Sequence, residues 1–199
     1  MKRTAFISIV GRPNVGKSTL MNRILGEKVA IVSSKPQTTR GKIVGIHTVG
    51  DDQYVFLDTP GIHRPQNKLG DAMVKSARDA MQDGDCVLLV ADAGKEISQV
   101  ERDVISYLET SGVPCVLALN KVDLYRREVI AKTIAEYAAA HDFEAVVPIS
   151  AKNGRAVGEV VDELSRFLTE SDWFYPDDIS TDQPPVRLRD NPRKTAAHA

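Results

Sequence analysis

The stretch Ile9–Leu20, IVGRPNVGKSTL, decides how the rest of the chain must be read. Gly11 and Gly16 remove side chains where something has to come close to the backbone. Lys17 adds a positive charge and Ser18 a hydroxyl beside it, so the expected ligand is an anion. An apolar run precedes the stretch and a helical pattern follows it. The spacing fits G-x-x-x-x-G-K-[ST], a phosphate-binding loop. In that reading Gly11, Arg12, Pro13, Asn14, Val15, Gly16, Lys17 and Ser18 line the phosphates, and the backbone N–H groups wrap them with help from the helix dipole. Lys17 would bridge the β- and γ-phosphates, and the Ser18 hydroxyl would ligate Mg²⁺. The loop alone does not choose between ATP and GTP.

Outward from this loop, apolar runs of strand length alternate with helical patterns. The expected strands are Ala5–Val10, Ile43–Thr48, Tyr54–Asp58, Cys86–Ala91, Val113–Asn120 and Ala145–Ser150. The expected helices are Ser18–Leu25, Leu69–Gln82, Ser98–Thr110, Arg126–His141 and Val157–Leu168. Such alternation predicts an α/β fold, a doubly wound sheet that is mostly parallel and buried on both faces. Ile43–Thr48 and Tyr54–Asp58 are the exception. Only VGDDQ separates them, too little for a crossover helix, so they should pair as an antiparallel hairpin. The expectation is a six-stranded mixed sheet with one antiparallel edge strand. After Leu168 the composition changes: four of the ten prolines fall in the last 31 residues, with no helical or strand period. This predicts a domain over residues 1–169 and a linker or tail over 170–199, mostly disordered beyond about Asp182.

The base is read elsewhere. NKVD, Asn120–Asp123, ends a buried strand run, and open α/β sheets bind ligands at the carboxyl ends of their strands. A carboxylate can accept hydrogen bonds from guanine N1–H and from the exocyclic amino group, a donor pair that adenine lacks. Asp123 would be the guanine reader. The stem of Lys121 would lie over the base, Asn120 would brace the loops, and Val122 completes the motif. SAK, Ser150–Lys152, follows the next strand, and the N–H groups of Ser150, Ala151 and Lys152 could meet guanine O6. DTPG, Asp58–Gly61, also ends a strand. There Asp58 would hold Mg²⁺ through a water, while Thr59, Pro60, Gly61 and Ile62 would lie against the γ-phosphate. Loss of the Gly61 N–H bond on hydrolysis would couple the phosphate to the segment that follows. In VSSKPQTTRGK, Thr39, or failing that Thr38, would supply a further hydroxyl to Mg²⁺. Lys17, Thr39 and Gly61 are thus the candidate catalytic residues.

The bulk composition excludes little. With 42% hydrophobic and 27% charged residues and a formal net charge of -1, nothing global draws the 199-residue chain toward nucleic acid or membrane. Cys86 and Cys115 sit inside apolar runs, which predicts buried free thiols rather than a disulfide and fits a reducing cytosol. The start MKRTAFISIV lacks the long apolar stretch of a signal peptide.

The five elements in this order resemble the G1 to G5 motifs of Ras-like GTPases, over Phe6 to about Leu168. Within that superfamily GRPNVGKSTLMNRILG, KPQTTR, DTPGIH with NKLG after it, and DWFYPDDISTD resemble the Era family of bacterial GTPases. The resemblance implies a GTP/GDP switch protein, a monomer in the cytoplasm with some peripheral association at the inner face of the cell membrane. It implies the small ribosomal subunit and its 16S rRNA as partners, in ribosome assembly. That family continues into a KH RNA-binding domain, which would show a GXXG clamp. The 17 residues QPPVRLRDNPRKTAAHA after DDISTD contain none. Ras-type enzymes place a glutamine after the G3 glycine to orient water. Here Ile62 holds that position, His63 is the nearest polar side chain, and Arg40 beside the switch threonines is the candidate arginine. GTPases with similar GRPN and TTR segments use K⁺ against the phosphates, which would make the Asn14 side-chain carbonyl a K⁺ ligand. The sequence thus points to a Mg²⁺-dependent GTPase. The alternative is a guanine-nucleotide-dependent binding module with negligible turnover, and Asp123 argues against an ATPase.

Overall fold

The computed structural model describes residues 1–26, 42–58 and 84–175. Among these, seven strands form one sheet. The six long ones are β1 (Arg3–Val10), β2 (Lys42–Val49), β3 (Asp52–Asp58), β4 (Cys86–Asp92), β5 (Cys115–Asn120) and β6 (Ala145–Pro148). They run in the order β2-β3-β1-β4-β5-β6, and β1 pairs parallel with both β3 and β4. β5 lies parallel between β4 and β6, while β2 is antiparallel to β3, as the short VGDDQ connection requires. The helices are α1 (Lys17–Leu25), α2 (Gln99–Ser111), α3 (Arg127–Ala140) and α4 (Val157–Leu164). The helix expected over Leu69–Gln82 lies outside the described residues. The pattern expected to run from Val157 to Leu168 ends as an α-helix at Leu164 and tightens into a 3₁₀ turn over Ser165–Phe167.

β4 and β5 are buried at every position, which is why their sequences read as unbroken apolar runs rather than alternations. Because successive side chains point to opposite faces, the sheet packs a core on each side. On one face Ile7, Ile9, Phe56, Leu88 and Val116 meet Leu20, Met21 and Ile24 of α1 and Val160 and Leu164 of α4. On the other, Val87, Leu89, Leu117 and Leu119 meet Val104, Ile105 and Leu108 of α2 and Tyr137 of α3. Burying each such side chain fully stabilises by roughly 1.5–3 kcal/mol. Cys86 belongs to the first core and Cys115 to the second, so the sheet separates two free thiols. Burial pushes the Cys86 thiol up to about 12. No helix among the described residues is long and apolar enough to cross a membrane.

The segment after Leu168 differs from the expected tail. Thr169 and Glu170 form a two-residue strand, β7, antiparallel to β1 with Thr4 opposite Thr169. The chain then crosses β3. Gln53, fully buried, accepts hydrogen bonds from the N–H groups of Phe174 (3.1 Å) and Tyr175 (3.2 Å) and donates to the Tyr175 carbonyl (2.9 Å). Tyr175 is buried against Phe6, Val55 and Leu57, and Phe174 packs edge-on to Phe6. The Trp173 indole donates to the Asp51 carbonyl, with the Lys2 ammonium 4.1 Å above its ring. Residues 170–175 are therefore packed onto the domain, which extends past the expected boundary at 169. Residues 176–199 lie outside the described residues.

Replacing Gln53 with Ala leaves the Phe174 and Tyr175 N–H groups without their buried acceptor. Gln53→Ala should destabilise by about 2 kcal/mol, lowering Tm by about 4–8 °C in a chain of this size. An unchanged melting curve by circular dichroism would mean that the strap is not closed in solution.

Candidate functional site

The carboxyl ends of β1, β4, β5 and β6 lie along one edge of the sheet, and each leads into a loop that meets the others there. The loop after β1 is Gly11–Gly16. A Cβ on Gly11 would collide with the Val90 carbonyl of β4, and one on Gly16 (φ 100°) with the Asn120 amide. Asn14 also holds a left-handed conformation, φ 63°. The Lys17 ammonium folds over the loop and donates to the carbonyls of Gly11 (2.6 Å) and Arg12 (2.7 Å). Pro13, Asn14 and Ser18 are exposed, and Val15 is buried beneath them. No side chain caps the start of α1, which leaves its end of positive dipole facing the loop's concave side.

Asn120, at the end of β5 and buried, joins this loop to another. Its amide donates to the Val15 carbonyl (2.8 Å), and its side-chain oxygen accepts from the Ala151 N–H (2.9 Å). Lys121 follows in a left-handed conformation (φ 72°), then a 3₁₀ turn over Val122–Leu124. Val122 is buried and Asp123 exposed. The Ser150 hydroxyl donates to the Asp123 carboxylate (2.7 Å) and accepts from the Asn153 N–H. Ser150 also pairs with Arg155 across the loop, with Lys152 exposed at its tip. The structure thus brings together the residues of GRPNVGKS, NKVD and SAK. Of DTPG, the backbone of Asp58 ends β3 opposite Ile9. Its side chain, Thr59, Pro60, Gly61 and Ile62 lie outside the described residues, as do Thr38, Thr39, Arg40 and His63.

Three further residues shape the site. Asp92, at the end of β4, is buried and accepts from the Lys121 ammonium (2.9 Å) and the Gly94 N–H (3.1 Å). Burial pushes its carboxyl up, but the hydrogen bonds from Lys121, Gly94 and the Tyr125 hydroxyl outweigh that and hold it below the usual carboxylate range. Arg23 of α1 donates to the carbonyls of Ala151 (3.1 Å) and Lys152 (2.6 Å) and so anchors the loop after β6. Glu101, wholly buried in α2, accepts from Arg12 at 3.0 Å while closing a capping box with Ser98. Glu101 carried a sequence signal, the S-x-x-E spacing of Ser98 and Glu101. Asp92 ends its apolar run as Asp58 and Asn120 end theirs, a pattern that could have drawn attention to it.

A model of the 50S ribosome-binding GTPase family matches residues 6–121. GTPase Era of Alkaliphilus metalliredigens (strain QYMF) is 43% identical over 182 residues, covering 92% of this chain and 62% of the relative. Among solved structures, Era in complex with MgGDPNP and nucleotides 1506–1542 of 16S ribosomal RNA superposes with a TM-score of 0.73 at 32% identity, covering 92% of this chain and 63% of that one. A point variant of Aquifex aeolicus Era bound to GDP and aluminium fluoride gives 0.72 at 33%, covering 92% and 62%. The chain thus spans about three fifths of the length of these relatives.

Arg12→Met leaves Glu101 as a buried carboxylate without its cation, and should cost about 3 kcal/mol in urea unfolding. Adding Glu101→Leu should recover most of that loss, because apolar replacement of a whole buried pair is often neutral. A double variant no more stable than the single one would show that the carboxylate's bonds to Ser98, not the ion pair, are the larger contribution.

Proposed function

We propose that this chain, which belongs to the 50S ribosome-binding GTPase family, is a Mg²⁺-dependent guanine-nucleotide switch of the Era type that hydrolyses GTP to GDP and phosphate. The observation that carries this reading is the pair of hydrogen bonds made by Asn120. They tie the Gly11–Gly16 loop to the loop after β6, whose Ser150 hydroxyl in turn bonds the Asp123 carboxylate. The residues fit such a ligand. Gly16 stays bare against Asn120, the Ser18 hydroxyl is exposed in the first turn of α1, and Lys17 brings an ammonium to the loop.

In this reading the loop N–H groups and Lys17 hold the phosphates in line for attack. Ser18, Thr39 and, through a water, Asp58 would hold Mg²⁺, which would supply neutralisation of the charge that builds on the phosphates. Asp123 accepts from guanine N1–H and the exocyclic amino group, its carboxylate plane fixed by Ser150. With the Ala151 N–H engaged by Asn120, the Lys152 N–H would meet O6, and the Lys121 stem would cover the ring. Gly61 reports the γ-phosphate to the segment after it. The similarity to Era bound to a 16S rRNA segment supports a role in small-subunit ribosome assembly. The site of action is the cytoplasm, with peripheral membrane association, on family resemblance.

Asp123→Asn turns one acceptor into a donor facing the guanine donors. The variant should prefer xanthosine triphosphate, whose extra oxygen suits the amide, with discrimination of about 10⁴ or more. Normal GTP affinity of the variant in a competition assay would refute the assignment of Asp123. A second expectation concerns the monovalent cation. With Ile62 in place of a glutamine, charge between the phosphates needs another partner, and the exposed Asn14 carbonyl suits K⁺. Single-turnover hydrolysis should be faster in KCl than in NaCl at matched ionic strength, and Asn14→Ala should abolish the difference while GTP still binds. Equal wild-type rates in the two salts would remove K⁺ from the reaction.

A further inference from the structure

We propose that Asp92 is a positioning residue for the guanine base, setting how long the nucleotide stays bound without touching it. This rests on the guanine-nucleotide reading above. Asp92 ends β4 directly opposite Asn120 in the parallel register, and the Ala93 N–H donates to the Asn120 carbonyl at 2.8 Å. Its carboxylate is 3% exposed and binds three groups of the loop region beyond: the Lys121 ammonium, the Gly94 N–H and the Tyr125 hydroxyl. The Tyr125 ring lies flat on Gly94, where a Cβ would collide with it.

Lys121 is therefore held at both ends. Its backbone is fixed in the left-handed region between β5 and the 3₁₀ turn, a conformation unfavourable for a residue with a Cβ. Its ammonium is fixed by Asp92. A lysine stem normally loses much rotamer freedom when it is ordered. Here both ends of the stem are already held before the nucleotide arrives, so the stem is a preformed surface for the base. Preorganisation of this kind improves affinity by removing an ordering cost, and within one interface it appears chiefly in the dissociation rate. Without the carboxylate the ammonium would turn to water and that surface would have to re-form around each base.

Asp92→Asn retains the acceptor for the Gly94 N–H and removes the charge that holds Lys121. Displacement of a fluorescent GDP analogue by excess GDP, followed by stopped flow on the whole chain, should show dissociation faster by about tenfold. The loss should appear in KM for GTP rather than in kcat. Lys121→Met should accelerate dissociation to a similar degree, and Asp92→Asn should add nothing in the Lys121→Met background. If Asp92→Asn does not fold, Tyr125→Phe carries the same test from the outside, with a smaller acceleration that also vanishes in the Lys121→Met background. Dissociation unchanged in Asp92→Asn or in Tyr125→Phe, or effects that multiply with Lys121→Met, would overturn this inference alone. A wild-type chain that fails to bind the GDP analogue would overturn the guanine reading along with it.

Discussion

The site depends on one carboxamide. Asn120 has a donor arm and an acceptor arm at a fixed separation, and each reaches a different loop. No other side chain of that length offers both. Aspartate would lose the donor to Val15, and glutamine would push its amide into the place that Gly16 leaves bare. Leaving the Val15 carbonyl and the Ala151 N–H without partners in a buried setting would cost about 1–3 kcal/mol each. The loops come within reach of one residue because β1, β4, β5 and β6 are parallel, so all their carboxyl ends fall on the same edge.

Around that centre, the cationic residues of the loops are held by carboxylates from elements behind them. Arg12 meets Glu101 from α2, and Lys121 meets Asp92 from β4. In both pairs the carboxylate is buried and the cation partly exposed. Such pairs contribute little net stability, since desolvation offsets much of the attraction, but they fix orientation. Arg23 adds the complementary device: a guanidinium from α1 that gathers two carbonyls of the loop after β6. The loops are thus held from three elements, α2, β4 and α1.

The strands were legible because β4 and β5 are apolar throughout and because Gly, Asn and Asp mark where they end. The GRPNVGKS and NKVD stretches stood out because each sets particular residue types at short spacing where a strand run ends. What escaped has no local signature. β7 is two residues long, below any periodic pattern, and fills the flank of β1 that β4, pairing only from Ile7 onward, leaves open. The aromatic run Trp173–Tyr175 stands among polar residues and reads as solvated. Its burial depends on Gln53, more than a hundred residues earlier, which itself looks like an ordinary turn-flanking amide. Asp92 and Arg23 act on partners 29 and 128 residues away, distances that single-sequence reasoning does not bridge.

β1 comes first among the described strands, yet it lies inside the sheet and is hydrogen-bonded to three others. Its pairing with β7 joins Thr4 to Thr169, 165 residues apart. Growth of the chain and growth of the sheet therefore run in different orders. A nascent chain can form the β2–β3 hairpin locally, but the start of β1 keeps one flank open until Thr169 and Glu170 have left the ribosome. Contacts of such long sequence separation close late, because the loop-closure entropy comes before the reward. Completion of the described sheet therefore waits on a two-residue strand far downstream of the strand it joins.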